Sequence, residues 1–141
     1  MIEINRLNKY FESLSGTDKL SIPSKTILLE EGKVADRLFF IHKGALRLFF
    51  YNEGKDITFQ FFFEGDFVAS FDSLYKRKPS LFSLESIEQT EVFAIKREDF
   101  YSLMEQTPLL KREYEEKLIE RFHVYQQLFL SRIKNTPQQR Y

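Results

Sequence analysis

Arg37-Leu38-Phe39-Phe40-Ile41-His42-Lys43-Gly44-Ala45-Leu46-Arg47-Leu48-Phe49-Phe50-Tyr51-Asn52-Glu53-Gly54-Lys55-Asp56-Ile57-Thr58-Phe59-Gln60-Phe61-Phe62 is the stretch that decides the fold. It contains aromatic and aliphatic runs too short for helices and separated by glycine-bearing turns. Such runs favour extended backbone, because aromatic and β-branched side chains pack well on a pleated surface. The predicted strands are Arg37–Ile41, Ala45–Tyr51 and Asp56–Phe62. The turn Asn52-Glu53-Gly54-Lys55 predicts a hairpin, since Gly54 can adopt the left-handed conformation that such loops need.

The same texture extends outward from Ser21 to about Lys96. Pro23, Gly32, Gly44, Gly54 and Gly65 punctuate it at a spacing of roughly 10 residues, which suits an antiparallel sandwich or roll. Further strands are predicted at Thr26–Leu29, Leu81–Ser86 and Thr90–Lys96. On the N-terminal side, Ile4, Leu7, Phe11 and Leu14 recur at helical spacing and predict one short amphipathic helix that closes near Gly16. On the C-terminal side, Asp99–Met104 reads as a short helix. Pro108 then sits in the first turn of a much longer one.

Along that long helix, Leu110, Tyr114, Leu118, Phe122, Tyr125, Phe129 and Ile133 step by 4, 4, 4, 3, 4 and 4. They keep a single apolar stripe over about six turns. So long a helix outruns the surface of a small roll, so the stripe is expected to form a dimer interface; the alternative is that it packs on its own β-domain. Ile119, Val124, Leu128 and Leu130 lie off the stripe. Thr136 and Pro137 have the chemistry of an N-cap and a first helical residue, and read as the start of a further helix at a domain boundary. The expected divisions are therefore a helix and roll over 1–107, a dimerisation helix over 108–134, and a hinge with the start of a truncated domain over 135–141.

The chain has 141 residues with 21 Lys+Arg and 21 Asp+Glu, so no net charge marks it as a nucleic-acid-binding surface. Any action on DNA would need a part outside this sequence. The absence of cysteine excludes disulfides, thiolate-held iron–sulfur clusters and a thiol nucleophile, and points to the cytoplasm. The N-terminus MIEINRLNKYFESLSG has no uninterrupted apolar run, so it reads as neither signal peptide nor membrane span, and no membrane partner is expected.

From IPSKTILLEEGKVADRLFFIHKGALRLFF onward to REDFYSLM, the chain resembles the cyclic-nucleotide-binding domain of the Crp/Fnr transcription regulators. Pro23 opens the first strand, Gly32 lies in the next turn, Leu38-Phe39-Phe40-Ile41 and Gly44 frame a hairpin, and Gly65-Asp66-Phe67 introduces the segment that cradles a cyclic phosphate in relatives. The long helix and the Thr136-Pro137 break match the family's dimer helix and the hinge into its winged helix-turn-helix. The resemblance implies a mainly β fold with flanking α: a jelly-roll-like β-roll with a short N-terminal helix and a long C-terminal dimerisation helix, acting as a homodimer that meets DNA only through a C-terminal domain.

The resemblance breaks at the cradle. Cyclic-nucleotide binders of the family carry a Glu for the ribose and, about ten residues later, an Arg that pairs with the phosphate as a planar bidentate donor. Ala69-Ser70-Phe71 and Pro79-Ser80-Leu81 stand at those places here. A phosphate enclosed without a cation is a poorly compensated buried charge, which argues against a cyclic nucleotide, and no other cofactor is indicated. Lys76, Arg77 and Lys78 lie near in sequence but read as a solvated loop, and Asp72 is no substitute for the Glu. The predicted ligand-binding residues are Ser70, Phe71, Ser80 and Leu81 from the roll with Tyr125 and Gln126 from the long helix. This neutral, aromatic set suits a small uncharged effector.

No catalytic or metal residues are predicted. Only His42 and His123 are present, so the three-histidine sites of cupin enzymes are impossible. No phosphate-cradling glycine loop or nucleophile elbow occurs. Two functions remain: the effector-sensing and dimerisation domain of a DNA-binding regulator, or a stand-alone binding module that does not act on DNA.

Overall fold

The computed structural model describes residues 11–12 and 17–135. Two compact units divide between Gln106 and Thr107. In the first unit, eight strands run in the order β1 (Thr17–Ile22), β2 (Ile27–Leu29), β3 (Arg37–Lys43), β4 (Leu46–Asn52), β5 (Lys55–Phe62), β6 (Phe67–Val68), β7 (Ser83–Ser86) and β8 (Thr90–Lys96). A short helix α1 (Phe71–Lys76) joins β6 to β7, and α2 (Arg97–Gln106) follows β8. The second unit is α3 (Pro108–Lys134). The predicted N-terminal helix lies outside the described residues, except that Phe11 and Glu12 are helical.

The strands form two four-stranded antiparallel sheets, β1-β8-β3-β6 and β2-β7-β4-β5. This is the mainly β, jelly-roll-like roll that the sequence implies. The core between the sheets holds Ile22, Phe39, Ile41, Val68, Val92 and Ala94 from the first sheet and Leu46, Leu48, Phe62 and Leu84 from the second. The first sheet buries its other face too. Phe40, Phe67 and Phe93 gather around Phe11, with ring centroids 4.9, 6.1 and 5.7 Å from it, and α2 packs beside β3 and β8. A strand covered on both faces cannot alternate apolar with polar, which accounts for the unbroken Leu38-Phe39-Phe40-Ile41 run.

Two turns show why glycine stands where it does. At Gly44, φ is +104° and a Cβ would lie 2.5 Å from Thr90 Oγ1 and 2.8 Å from Thr90 Cα, so neither the backbone angle nor the space admits a side chain. The β4–β5 hairpin closes through Glu53 (φ 54°) and Gly54 (φ 81°), with Asn52 paired to Lys55. Positive φ at both central residues is the type I′ geometry whose twist matches the strands. In β5 the register skips a residue: Leu48 pairs with Gln60 and Phe49 with Thr58, so Phe59 is the extra residue of a β-bulge.

The structure departs from the sequence reading in four places. Strand β1 over Thr17–Ile22 is absent from the sequence reading, whose first strand is Thr26–Leu29; it forms by pairing with Thr90 to Ile95 of β8, a long-range partner that its polar composition does not reveal. The two residues of β6 and the six of α1 are too short for either periodicity to register. Strand β7 starts at Ser83, not Leu81, since Ser80 and Phe82 are tied into a bend by the Ser80 hydroxyl. Helix α2 extends two residues beyond Asp99–Met104 at each end.

Candidate functional site: the serine-lined cradle

Helix α1 begins after Ser70 and ends on Arg77, whose φ of 60° closes it in the left-handed conformation. Its position is set from inside: the Ser73 hydroxyl accepts the Ala35 amide at 2.8 Å and donates to the Lys78 carbonyl. From the other side, the Arg97 guanidinium donates to the Leu74 carbonyl at 2.7 Å and lies over the Tyr101 ring at 4.9 Å. A cation at the carbonyl end of a helix is favourably placed against the helix dipole.

The chain leaving α1 is pinned to the β2–β3 connection. Gly32 donates to the Ser80 carbonyl at 2.8 Å, Ser80 donates to the Lys33 carbonyl at 2.7 Å, and Val34 bridges Pro79. These bonds draw Ser80 inward until its Oγ lies 2.9 Å from Ser70 Oγ and 2.7 Å from the Phe82 carbonyl oxygen. Each serine is 3% exposed. A hydroxyl has one proton, so Ser80 can give it to the carbonyl while Ser70 donates to Ser80, leaving both groups satisfied. The cavity beside them measures about 10 Å3 and is lined by Leu28, Leu29, Phe39, Ala69, Ser70 and Leu84, with Ala35, Asp36 and Arg37 at its side. That is room for about one water.

Electrically the cradle is close to neutral. Arg37 borders the cavity, but its Nε lies 3.6 Å from the Asp36 carboxylate and its side chain is 42% exposed. Lys76, Arg77 and Lys78 are exposed, and Lys76 pairs with Asp72 at 3.3 Å. The sequence reading of these three as solvated holds, but they are not all loop: Lys76 ends α1 and Arg77 caps it.

The structure brings Ser70 and Ser80 together. Phe71 is half-buried with its ring 6.5 Å from Tyr75, while Leu81 points outward at 77% exposure. Tyr125 and Gln126 belong to the second unit and are exposed; burial of part of the Tyr125 ring raises its phenol above the ordinary value, opposed by Arg121. Within α3, Leu110 and Tyr114 are buried and Leu118 is half-buried, whereas Phe122 (64%), Tyr125, Phe129 (65%) and Ile133 are exposed. Ile119, Val124, Leu128 and Leu130 are exposed as well. Sequence reasoning missed Phe82 and Arg97, since a half-buried ring in a bend and a cation reaching two carbonyls carry no local pattern.

Among the described residues no group of three or more His, Asp or Glu could hold a metal, and no helix is long and apolar enough to cross a membrane.

An antiparallel roll with a short helix set between β6 and β7 is the architecture of a cyclic-nucleotide-binding domain. The chain belongs to the cyclic nucleotide-binding domain family, whose match covers residues 19–107. The fold recurs in the catabolite activator protein of Thermus thermophilus, with 21% identity and a TM-score of 0.70 over 91% of this chain and 58% of that one. A transcriptional regulator from Thermotoga maritima shows 15% identity and a TM-score of 0.73 over 87% of this chain and 94% of its own. The c-di-GMP responsive global regulator CLP of Xanthomonas campestris shows 16% identity and 0.68 over 90% and 60%. The chain thus spans about three fifths of the Thermus and Xanthomonas proteins. No curated protein matches it.

Proposed function

We propose that this chain is the effector-sensing and dimerisation portion of a Crp/Fnr-type DNA-binding transcription regulator, working in the cytoplasm as a homodimer without catalysis of its own. Its pocket has diverged at the phosphate-binding segment. The carrying observation is the buried Ser70–Ser80 hydrogen bond, which stands where an anionic ligand would need a cation. Enclosing a phosphate there would cost several kcal/mol with no counterion in return. The effector class that suits the cradle is small and uncharged, held by Ser70, Phe71, Ser80 and Leu81. DNA contact belongs to a further C-terminal domain.

The exposed part of the α3 stripe supports the homodimer. Phe122, Tyr125, Phe129 and Ile133 follow one another on one side of the helix, and so much exposed aromatic surface is unusual outside an interface. Leu110 and Tyr114 are already buried, so the seam is drawn from Phe122 onward.

Calorimetric titration with cyclic AMP and cyclic GMP tests the pocket. No heat of binding up to millimolar ligand is expected, and saturable micromolar binding would overturn the diverged-pocket reading. Gel shift of the chain joined to a following helix-turn-helix, against the chain alone, separates a DNA-binding regulator from a stand-alone module.

A further inference from the structure

Phe82 lies in the bend between α1 and β7, half-buried, with its side chain packed against the inter-sheet core. Its ring meets Phe59, the bulged residue of β5, edge-on at 5.4 Å, and Phe59 in turn meets Phe50 at 5.9 Å. Both neighbours keep substantial contact with solvent, and Leu81 beside Phe82 is 77% exposed. The ring therefore stands at an edge of the core where the chain is irregular, not locked within a strand.

Its backbone is held by one hydroxyl. Ser80 Oγ bonds the Phe82 carbonyl at 2.7 Å, lies 3.3 Å from the Phe82 amide nitrogen, and joins Ser70 at 2.9 Å. Of these two serines Ser70 borders the small residual cavity, whose walls are otherwise largely Leu28, Leu29, Phe39, Ala69 and Leu84 with Asp36 and Arg37 at its side, while Ser80 is joined to it through the Ser70 hydroxyl.

From this arrangement we infer that the roll contains a latent site for a flat, uncharged ring bearing one hydrogen-bonding group, and that the Phe82 side chain occupies this site as an internal plug. A ligand of that class enters by displacing the ring toward the exposed Phe59 and Leu81, and it takes over the Ser70 and Ser80 hydroxyls. Apolar space vacated by a ring accepts a small aromatic molecule in its place. The inference rests on the diverged-pocket reading, because a cradle that took a charged phosphate would not be neutral and apolar.

The test is an amide NMR titration of the full 141-residue chain with indole, comparing wild type with Phe82→Ala. The variant is expected to bind indole about tenfold more tightly than wild type, with shifts centred on Ser70, Ser80 and Leu84. A folded variant that binds indole no better than wild type, or only elsewhere, overturns the inference. If Phe82→Ala loses its dispersed spectrum, Phe82→Val takes its place with the same two outcomes. In the wild-type chain, absence of nuclear Overhauser contacts between the Phe82 and Phe59 rings overturns it independently of any variant. Cyclic AMP added to the wild type separates the two readings: binding overturns the diverged pocket, whereas silence toward cyclic AMP together with an indole-silent variant overturns the plug alone.

Discussion

The Arg47 guanidinium lies 2.8 Å from the Glu85 carboxylate, joining β4 to β7 across the outer face of the second sheet. It also reaches Asp56 at 2.9 Å and the Thr58 hydroxyl at 2.6 Å on β5, and its carbon centre lies 4.0 Å from the centroid of the Phe49 ring. One side chain thus clamps three strands and covers an aromatic ring. Phe49 is fully buried.

Replacing this clamp should be costly. Arg47→Met keeps the stem but leaves Glu85, with its side chain 18% exposed, facing an uncompensated environment. A loss of about 2 kcal/mol in urea unfolding is expected, in line with hydrogen bonds to charged groups. A change within experimental error would mean that water replaces the guanidinium without penalty.

Acid should act partly through the same cluster. The hydrogen bond from Arg47 holds the Asp56 carboxyl below the ordinary aspartate range. Its contribution is therefore present above about pH 4 and is lost as pH falls through the lower folded value. Asp56 is exposed, so the effect is small and screened by salt. Urea midpoints at pH 5 and pH 3 should differ more for wild type than for Arg47→Met.

Gly44→Ala should be among the most damaging single-methyl changes in the chain. The new carbon meets Thr90 at 2.5 Å and must also hold a φ of +104°. A loss of about 3 kcal/mol or more is expected, visible as a large drop in thermal midpoint. Gly54→Ala has nothing within 4 Å of its Cβ and bears only the backbone strain, so its effect should be smaller.

Phe40→Ala removes a fully buried ring that meets Phe11 at 4.9 Å and Phe67 at 5.0 Å. The expected cost is about 3–5 kcal/mol. Because the ring faces away from the cradle, a variant that still folds should show the same indole and cyclic AMP behaviour as its parent.

The assembly prediction concerns α3. Phe122→Glu together with Phe129→Glu places like charges on the exposed stripe, and sedimentation should then report a monomer. A double variant that stays dimeric would move the interface elsewhere.

Much of this was legible in the residues. Glycine spacing and aromatic runs are local signals, so β3, β4, β5 and β8 were predicted to within two residues, and Pro108 marked the start of the long helix. That Ala69-Ser70-Phe71 and Pro79-Ser80-Leu81 carry no charged side chain is likewise read from residue types alone. Long-range geometry could not. The pairing of β1 with β8 and the two-faced burial of β3 depend on residues brought together from distant parts of the chain. The same holds for Ser80 meeting Ser70 across 10 residues and for the ring of Phe82 beside Phe59. Periodicity reports how one segment presents itself to its surroundings, and so it suffices for elements and fold class. What fills the space between two sheets is decided by the mutual approach of segments, and only the tertiary structure contains it.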